Sequence, residues 1–114
     1  MSVISIKPGP IAIGEETSPV WASDFDIPEG LGACELRYEQ QSTSIEGNVI
    51  LINGHLFTFM TNQESNEEWR PEHWSKFEQW LHVGRNTIEI RSKYINPRYE
   101  YDTFKIQNLH VYSD

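Results

Sequence analysis

The chain is 114 residues long, with 17 acidic against 9 basic residues for a formal charge of −8, and it has one cysteine, Cys34. That length accommodates one domain, residues 1–114, around one core, and a single cysteine excludes an intrachain disulfide, in keeping with a reducing compartment. The acidic balance argues against nucleic acid and anionic membranes as partners, because Arg85, Arg91, Lys93 and Arg98 are interleaved with Glu89 and Glu100 instead of forming a basic patch.

The opening residues carry no charged segment followed by an apolar run, and Pro8 and Pro10 interrupt them. No stretch of the sequence is long and apolar enough to cross a bilayer, so a soluble, cytoplasmic protein is expected. Strands are expected at 2–6 and 20–26. In 35–40, Leu36 and Tyr38 alternate with Glu35, Arg37 and Glu39, the period-2 pattern of a strand with one buried face. Residues 48–60 read as a hairpin: a β-branched run ends at Asn53-Gly54, a strong turn signal, and the chain resumes as HisLeuPheThrPheMet. Residues 61–75 are polar and contain Pro71, which predicts a long loop with one helical turn after the proline. A strand is expected to follow from Phe77 through Trp80 and Leu81, with Trp80 and Trp21 in the core. In 87–91, Ile88 and Ile90 share one face, and 92–102 read as a second loop bearing Tyr94, Tyr99 and Tyr101. The last run places Phe104 and Ile106 on one face but Leu109 and Val111 out of phase, which predicts a bulge near Asn108. About seven short strands with regular turn signals and no long helix give an all-β fold, a single-domain antiparallel β-sandwich.

The order of these residues is similar to that of the galactose-binding-domain-like jelly rolls, the superfamily of many sugar-binding modules and accessory domains of glycoside hydrolases. The resemblance rests on Asn53-Gly54 at a hairpin, on Leu81 followed by Gly84-Arg85-Asn86 opening an Ile-rich strand, and on a closing strand over 102–112. It covers roughly residues 48–112 and implies a jelly roll. Within it, Gly84 is expected to supply a positive φ, and Asn86 a side-chain hydrogen bond that fixes the turn. The superfamily includes binders of sugars, lipids and proteins, so function follows by analogy.

Sugars present apolar C–H faces to aromatic rings and hydroxyls to amides, carboxylates and guanidinium groups. The 61–75 loop has that mixture: Trp69 and Trp74 as stacking rings, with Asn66, Glu68 and Arg70 as polar contacts, and Tyr99 from the second loop as a further platform. The competing expectation is that the Trp69 and Trp74 rings both fold inward and pin the loop, and that Tyr94, Tyr99 and Tyr101 pack over an open end of the sandwich or meet a protein partner. Asp24, Asp26 and Glu29 precede or follow Pro28 closely enough to form a candidate structural calcium site, although no Asp-x-Asp-x-Asp-Gly loop is present. His55, His73, His82 and His110 lack zinc-ligand spacing, Cys34 reads as a buried small side chain, and no phosphate loop or nucleophile elbow occurs. The expected function is a non-catalytic carbohydrate-binding or lectin-like module. The alternative is a structural or protein-interaction subunit, a homo-oligomer among the options, that assembles through strand edges and exposed aromatics.

Overall fold

A computed structural model describes residues 2–14, 18–43, 47–62, 67–95 and 100–113. The strands in chain order are β1 (Ser2–Lys7), β2 (Ile11–Ile13), β3 (Val20–Ile27), β4 (Cys34–Gln41), β5 (Val49–Ile52), β6 (His55–Phe59), β7 (Arg70–Trp74), β8 (Gly84–Arg91), β9 (Tyr94–Ile95), β10 (Glu100–Tyr101) and β11 (Phe104–Ser113). They form two antiparallel sheets packed as a jelly-roll β-sandwich. One sheet runs β1-β11-β4-β7, with β2 also on β11, and the other runs β3-β8-β5-β6. The pair β9 and β10 makes a small separate ribbon.

Period-2 patterning sets which face of each strand turns inward. On β4, Cys34, Leu36, Tyr38 and Gln40 are buried while Glu35, Arg37, Glu39 and Gln41 stay partly exposed. On β8, Asn86, Ile88 and Ile90 are buried between half-exposed Thr87 and Glu89. The phase change in β11 is resolved by a bulge: Asn108 has φ 55, and the register with β4 slips between Gln107 and His110. One extra residue lets Phe104 and Ile106 before it, and Leu109 and Val111 after it, all face the core with no exposed surface. With Ile13, Leu36, Ile50, Ile52, Phe77, Ile88 and Ile90 they fill the space between the sheets, each contributing about 1.5–3 kcal/mol on burial.

Several expectations need correction, among them the loop over 92–102, which contains the β9–β10 ribbon. Residues 70–74 are a strand, paired with β4 from Leu36↔Trp74 to Gln40↔Arg70. Pro71 signalled a loop, yet on an edge strand its missing N–H costs no ladder hydrogen bond, and β7 is the edge of its sheet. The helical turn falls later, as a single 3-10 turn at Phe77–Trp80 where a strand was expected, because Lys76 adopts a left-handed φ of 57 and turns the chain out of the sheet. Phe77 is consequently buried, whereas Trp80 is 36% exposed instead of lying in the core. Trp21, also expected in the core, is half-buried against it. The Asn53-Gly54 hairpin, the strands at both termini and the bulge form as the sequence indicates.

Candidate functional site

The jelly-roll connectivity brings four connections to one end of the sandwich: those from β2 to β3, β4 to β5, β6 to β7, and β8 to β11. Buried polar side chains tie them together. Asn48 is fully buried; its amide nitrogen donates to the Asp102 carboxylate at 2.7 Å, its amide oxygen accepts the Lys93 N–H at 2.7 Å, and its carbonyl accepts the Met60 N–H at 2.7 Å. The Ser92 hydroxyl donates to the Asp102 carbonyl, and the Ser92 N–H donates to the Pro19 carbonyl at 2.7 Å. Gly14 packs so tightly here that a Cβ at its position would lie 2.5 Å from the Asp102 carbonyl oxygen. Gln40, also fully buried, donates to the Thr43 hydroxyl and the Thr61 carbonyl at 2.7 Å each. The Gln40 side-chain oxygen is buried without a partner among the described residues, but the remaining hydrogen bonds tie these connections in one arrangement.

On that braced end lies an open depression of about 600 Å³, lined by Gly47, Phe59, Met60, Thr61 and Asn62. Phe59 stands at its rim with 57% of its surface exposed. The lining thus combines an aromatic ring and a thioether with a hydroxyl and an amide. A second depression, about 340 Å³, lies across the β6–β7 connection between Gln41, Ser42, Glu67, Thr103, Phe104 and Lys105. The Gln41 side chain donates to the Glu67 carbonyl and ties that connection to the end of β4. A third depression, about 420 Å³, sits on the outer face of the first sheet. There the Arg37 guanidinium stacks over Tyr112 at 3.6 Å while pairing with Glu35 at 3.0 Å, and Gln107 donates to Glu39 at 3.2 Å.

Of the residues singled out by sequence, Glu68 is exposed, Trp69 half-buried and Arg70 exposed, all where the β6–β7 connection enters β7. Arg70 pairs with Glu72 at 3.2 Å. Trp74 turns inward: it packs against the core, and its indole N–H donates to the Tyr38 hydroxyl at 3.0 Å. Asn66 and Tyr99 lie outside the described residues. Asp24 and Asp26 share the exposed face of β3, where Asp24 accepts the Thr87 hydroxyl at 2.9 Å, and Glu29 lies in the following turn. Among the described residues no three His, Cys, Asp or Glu side chains gather in a way that holds a metal ion, and these three acids are no exception. Cys34 is buried, and burial first and Glu78 second push its thiol above the usual cysteine value, which disfavours the nucleophilic thiolate.

Sequence reasoning missed Phe59. In HisLeuPheThrPhe the two phenylalanines occupy positions that share one face in a regular strand, but the β5–β6 register slips between Ile50 and Leu51, leaving Phe57 as the extra residue. Phe57 turns in, edge-on to Phe77 and Trp80 at 5.1 and 5.4 Å, and Phe59 turns out. No signal in a single sequence marks that slip.

No family model and no curated protein matches the sequence. Among solved structures, a family 35 carbohydrate-binding module from Clostridium thermocellum aligns with a TM-score of 0.50 at 14% identity, over 93% of this chain and 98% of that one. A family 35 carbohydrate-binding module from an environmental isolate aligns over 100% of this chain and 98% of that one, with a TM-score of 0.42 at 9% identity. A β-porphyranase of glycoside hydrolase family 86 from the human gut bacterium Bacteroides plebeius aligns over 96% of this chain but 20% of its own, with a TM-score of 0.48 at 15% identity. At these identities the likeness speaks to fold, and the fold is the jelly-roll sandwich of the first of these modules.

Proposed function

We propose that this protein is a non-catalytic carbohydrate-binding module whose ligand sits on the loop end of the sandwich. The observation that carries the reading is Phe59, 57% exposed at the rim of an open depression that also presents Thr61 and Asn62. A large exposed ring keeps apolar surface in contact with water, and stacking a sugar's C–H face on it removes that surface from water. The hydroxyl and amide beside it are the partners that sugar hydroxyls require if they are not to be left unpaired. Trp69, with Glu68 and Arg70, flanks the other side of the same connection, and Asn66 and Tyr99 belong to the proposed ligand set on sequence grounds. Aromatic, amide, guanidinium and carboxylate groups of this kind recognise and hold sugar rings and hydroxyls, which is the binding role proposed.

The test is a glycan-array screen with and without calcium, followed by titration of any binder against Phe59→Ala and Trp69→Ala. Selective binding that weakens about ten-fold or more in Phe59→Ala is expected, the loss of one hot-spot aromatic. Silence across neutral and acidic glycans in both conditions overturns the proposal. Binding that survives both substitutions moves the site off the loop end.

A further inference from the structure

We propose that the free edge of β6 pairs antiparallel with the same strand of a second copy of this chain, giving a two-fold dimer in which the two β3-β8-β5-β6 sheets join into one. This goes beyond the sugar-binding reading: it rests on the β6 main-chain edge and Leu56, and shares only Phe59 with that reading.

A strand at a sheet edge presents a row of unpaired N–H and C=O groups, and proteins guard such rows with charge, proline or cover. Among the described residues β6 pairs with β5 alone. Among the described residues the sandwich has four edges, and three of them are guarded. β1 and β3 approach one another where the sheets meet on one side, and β3 adds the exposed carboxylates Asp24 and Asp26. On the other side, β7 carries Arg70, Pro71 and Glu72. β6, HisLeuPheThrPhe, has neither charge nor proline. The gap in charge is wider than the strand: residues 48–63 contain no Asp, Glu, Lys or Arg in a chain where 23% of residues are charged. Beside the edge, the outer sheet face is apolar. Leu56, 48% exposed, pairs with Leu51, and Phe59 pairs with Val49.

The second copy is the occupant these features select. Edge groups of an extended strand accept another extended strand, and an antiparallel pair of identical strands is self-complementary about a two-fold axis. Two chains of formal charge −8 repel one another in most orientations. Approach along β6 brings together the stretch that holds no carboxylate, and Glu89 and Arg91, which pair with Leu51 and Val49 of the neighbouring β5, neutralise each other at 2.8 Å. Joining the edges also extends the apolar Leu56–Leu51 row from one copy into the next.

The experiment is sedimentation velocity on the intact chain from micromolar to millimolar concentration, with Leu56→Lys and, as a control on a different edge, Val3→Lys. Reversible dimerisation is expected, weakened about ten-fold or more by Leu56→Lys and unchanged by Val3→Lys, each variant first shown to be folded by circular dichroism. Amide hydrogen exchange on the unmodified chain gives a readout that needs no substitution: the amides of Leu56–Phe59 must slow as concentration rises. A chain that stays monomeric throughout overturns the proposal. So does a dimer indifferent to Leu56→Lys whose β6 amides exchange at the same rate at every concentration, or open-ended assembly in place of a closed dimer.

Discussion

Glu78 stands on the 3-10 turn that follows β7, and its carboxylate accepts the main-chain N–H of Cys34 at 2.8 Å, capping the first residue of β4 from across 44 residues of chain. That hydrogen bond is the main cause holding the Glu78 carboxyl below its usual value, helped by its own main-chain N–H and by the Lys76 charge and opposed by partial burial. A carboxylate depressed in the folded state stabilises the fold above the unfolded-state value, roughly 4.3 for Glu, and that stabilisation disappears as pH falls through the folded value. Urea midpoints measured against pH should therefore decline on acidification below that region. In Glu78→Gln, which keeps an acceptor but no titrating charge, this part of the decline should be absent and the midpoint at neutral pH should be lower. An unchanged acid limb in the variant would assign acid sensitivity to other carboxylates.

At the scale of elements, the end of the sandwich away from the loops is held by two asparagines. The Asn53-Gly54 turn has φ 51 and 83 at its two residues, the type I′ geometry that matches strand twist. The Asn53 side chain donates to the Trp80 carbonyl at 3.1 Å and to Asn86 at 2.9 Å, and accepts the Thr87 N–H at 2.9 Å. Asn86, 1% exposed, donates to the His82 and Gly84 carbonyls at 2.8 and 3.0 Å and accepts the His82 N–H at 3.1 Å. Together they staple the hairpin, the 3-10 turn and the start of β8. Asn86→Ala removes three hydrogen bonds to part-buried main-chain groups and should cost about 2–4 kcal/mol in chemical denaturation. A cost under about 1 kcal/mol would mean that water replaces the amide there. These are the Asn-Gly and Gly-x-Asn positions on which the sequence resemblance rested, and Gly84 does take the positive φ, 96, expected of it. Turn chemistry and period-2 alternation are local, which is why β4, the β5–β6 hairpin, β8 and the bulge at Asn108 were all readable from residue order. What was not readable depends on partners distant in sequence. Pro71 sits in a strand because β4 offers it an edge, Trp80 is exposed because Lys76 turns the chain before it, and Phe59 faces out because of a slip against β5. In the candidate site, Glu68, Trp69 and Arg70 of the expected ligand set lie exposed or half-exposed at the described loop end, and the exposed Phe59 comes to that end from a strand.

For the whole molecule, the charge of −8 makes ionic strength a discriminating variable. The Debye length shrinks from about 30 Å at 0.01 M salt to about 10 Å at 0.1 M, so interactions between whole-molecule charges fade over that range while short-range contacts do not. A neutral glycan held by Phe59, Thr61 and Asn62 brings no charge to the protein, so its affinity should stay constant from low salt to physiological salt. Pairing through β6 joins two chains of like sign at a stretch that is itself uncharged, so screening removes a penalty and leaves the contact intact. Its dissociation constant should therefore fall as salt is raised. Titration calorimetry with a binding glycan and sedimentation equilibrium across the same salt series measure the two responses separately. Glycan affinity that drops steeply with salt would point to an ionic contact, with Arg70 the first candidate because it is exposed beside Trp69. Dimer affinity that drops with salt would require attraction between opposite charges across the interface, which the uncharged stretch from 48 to 63 cannot supply.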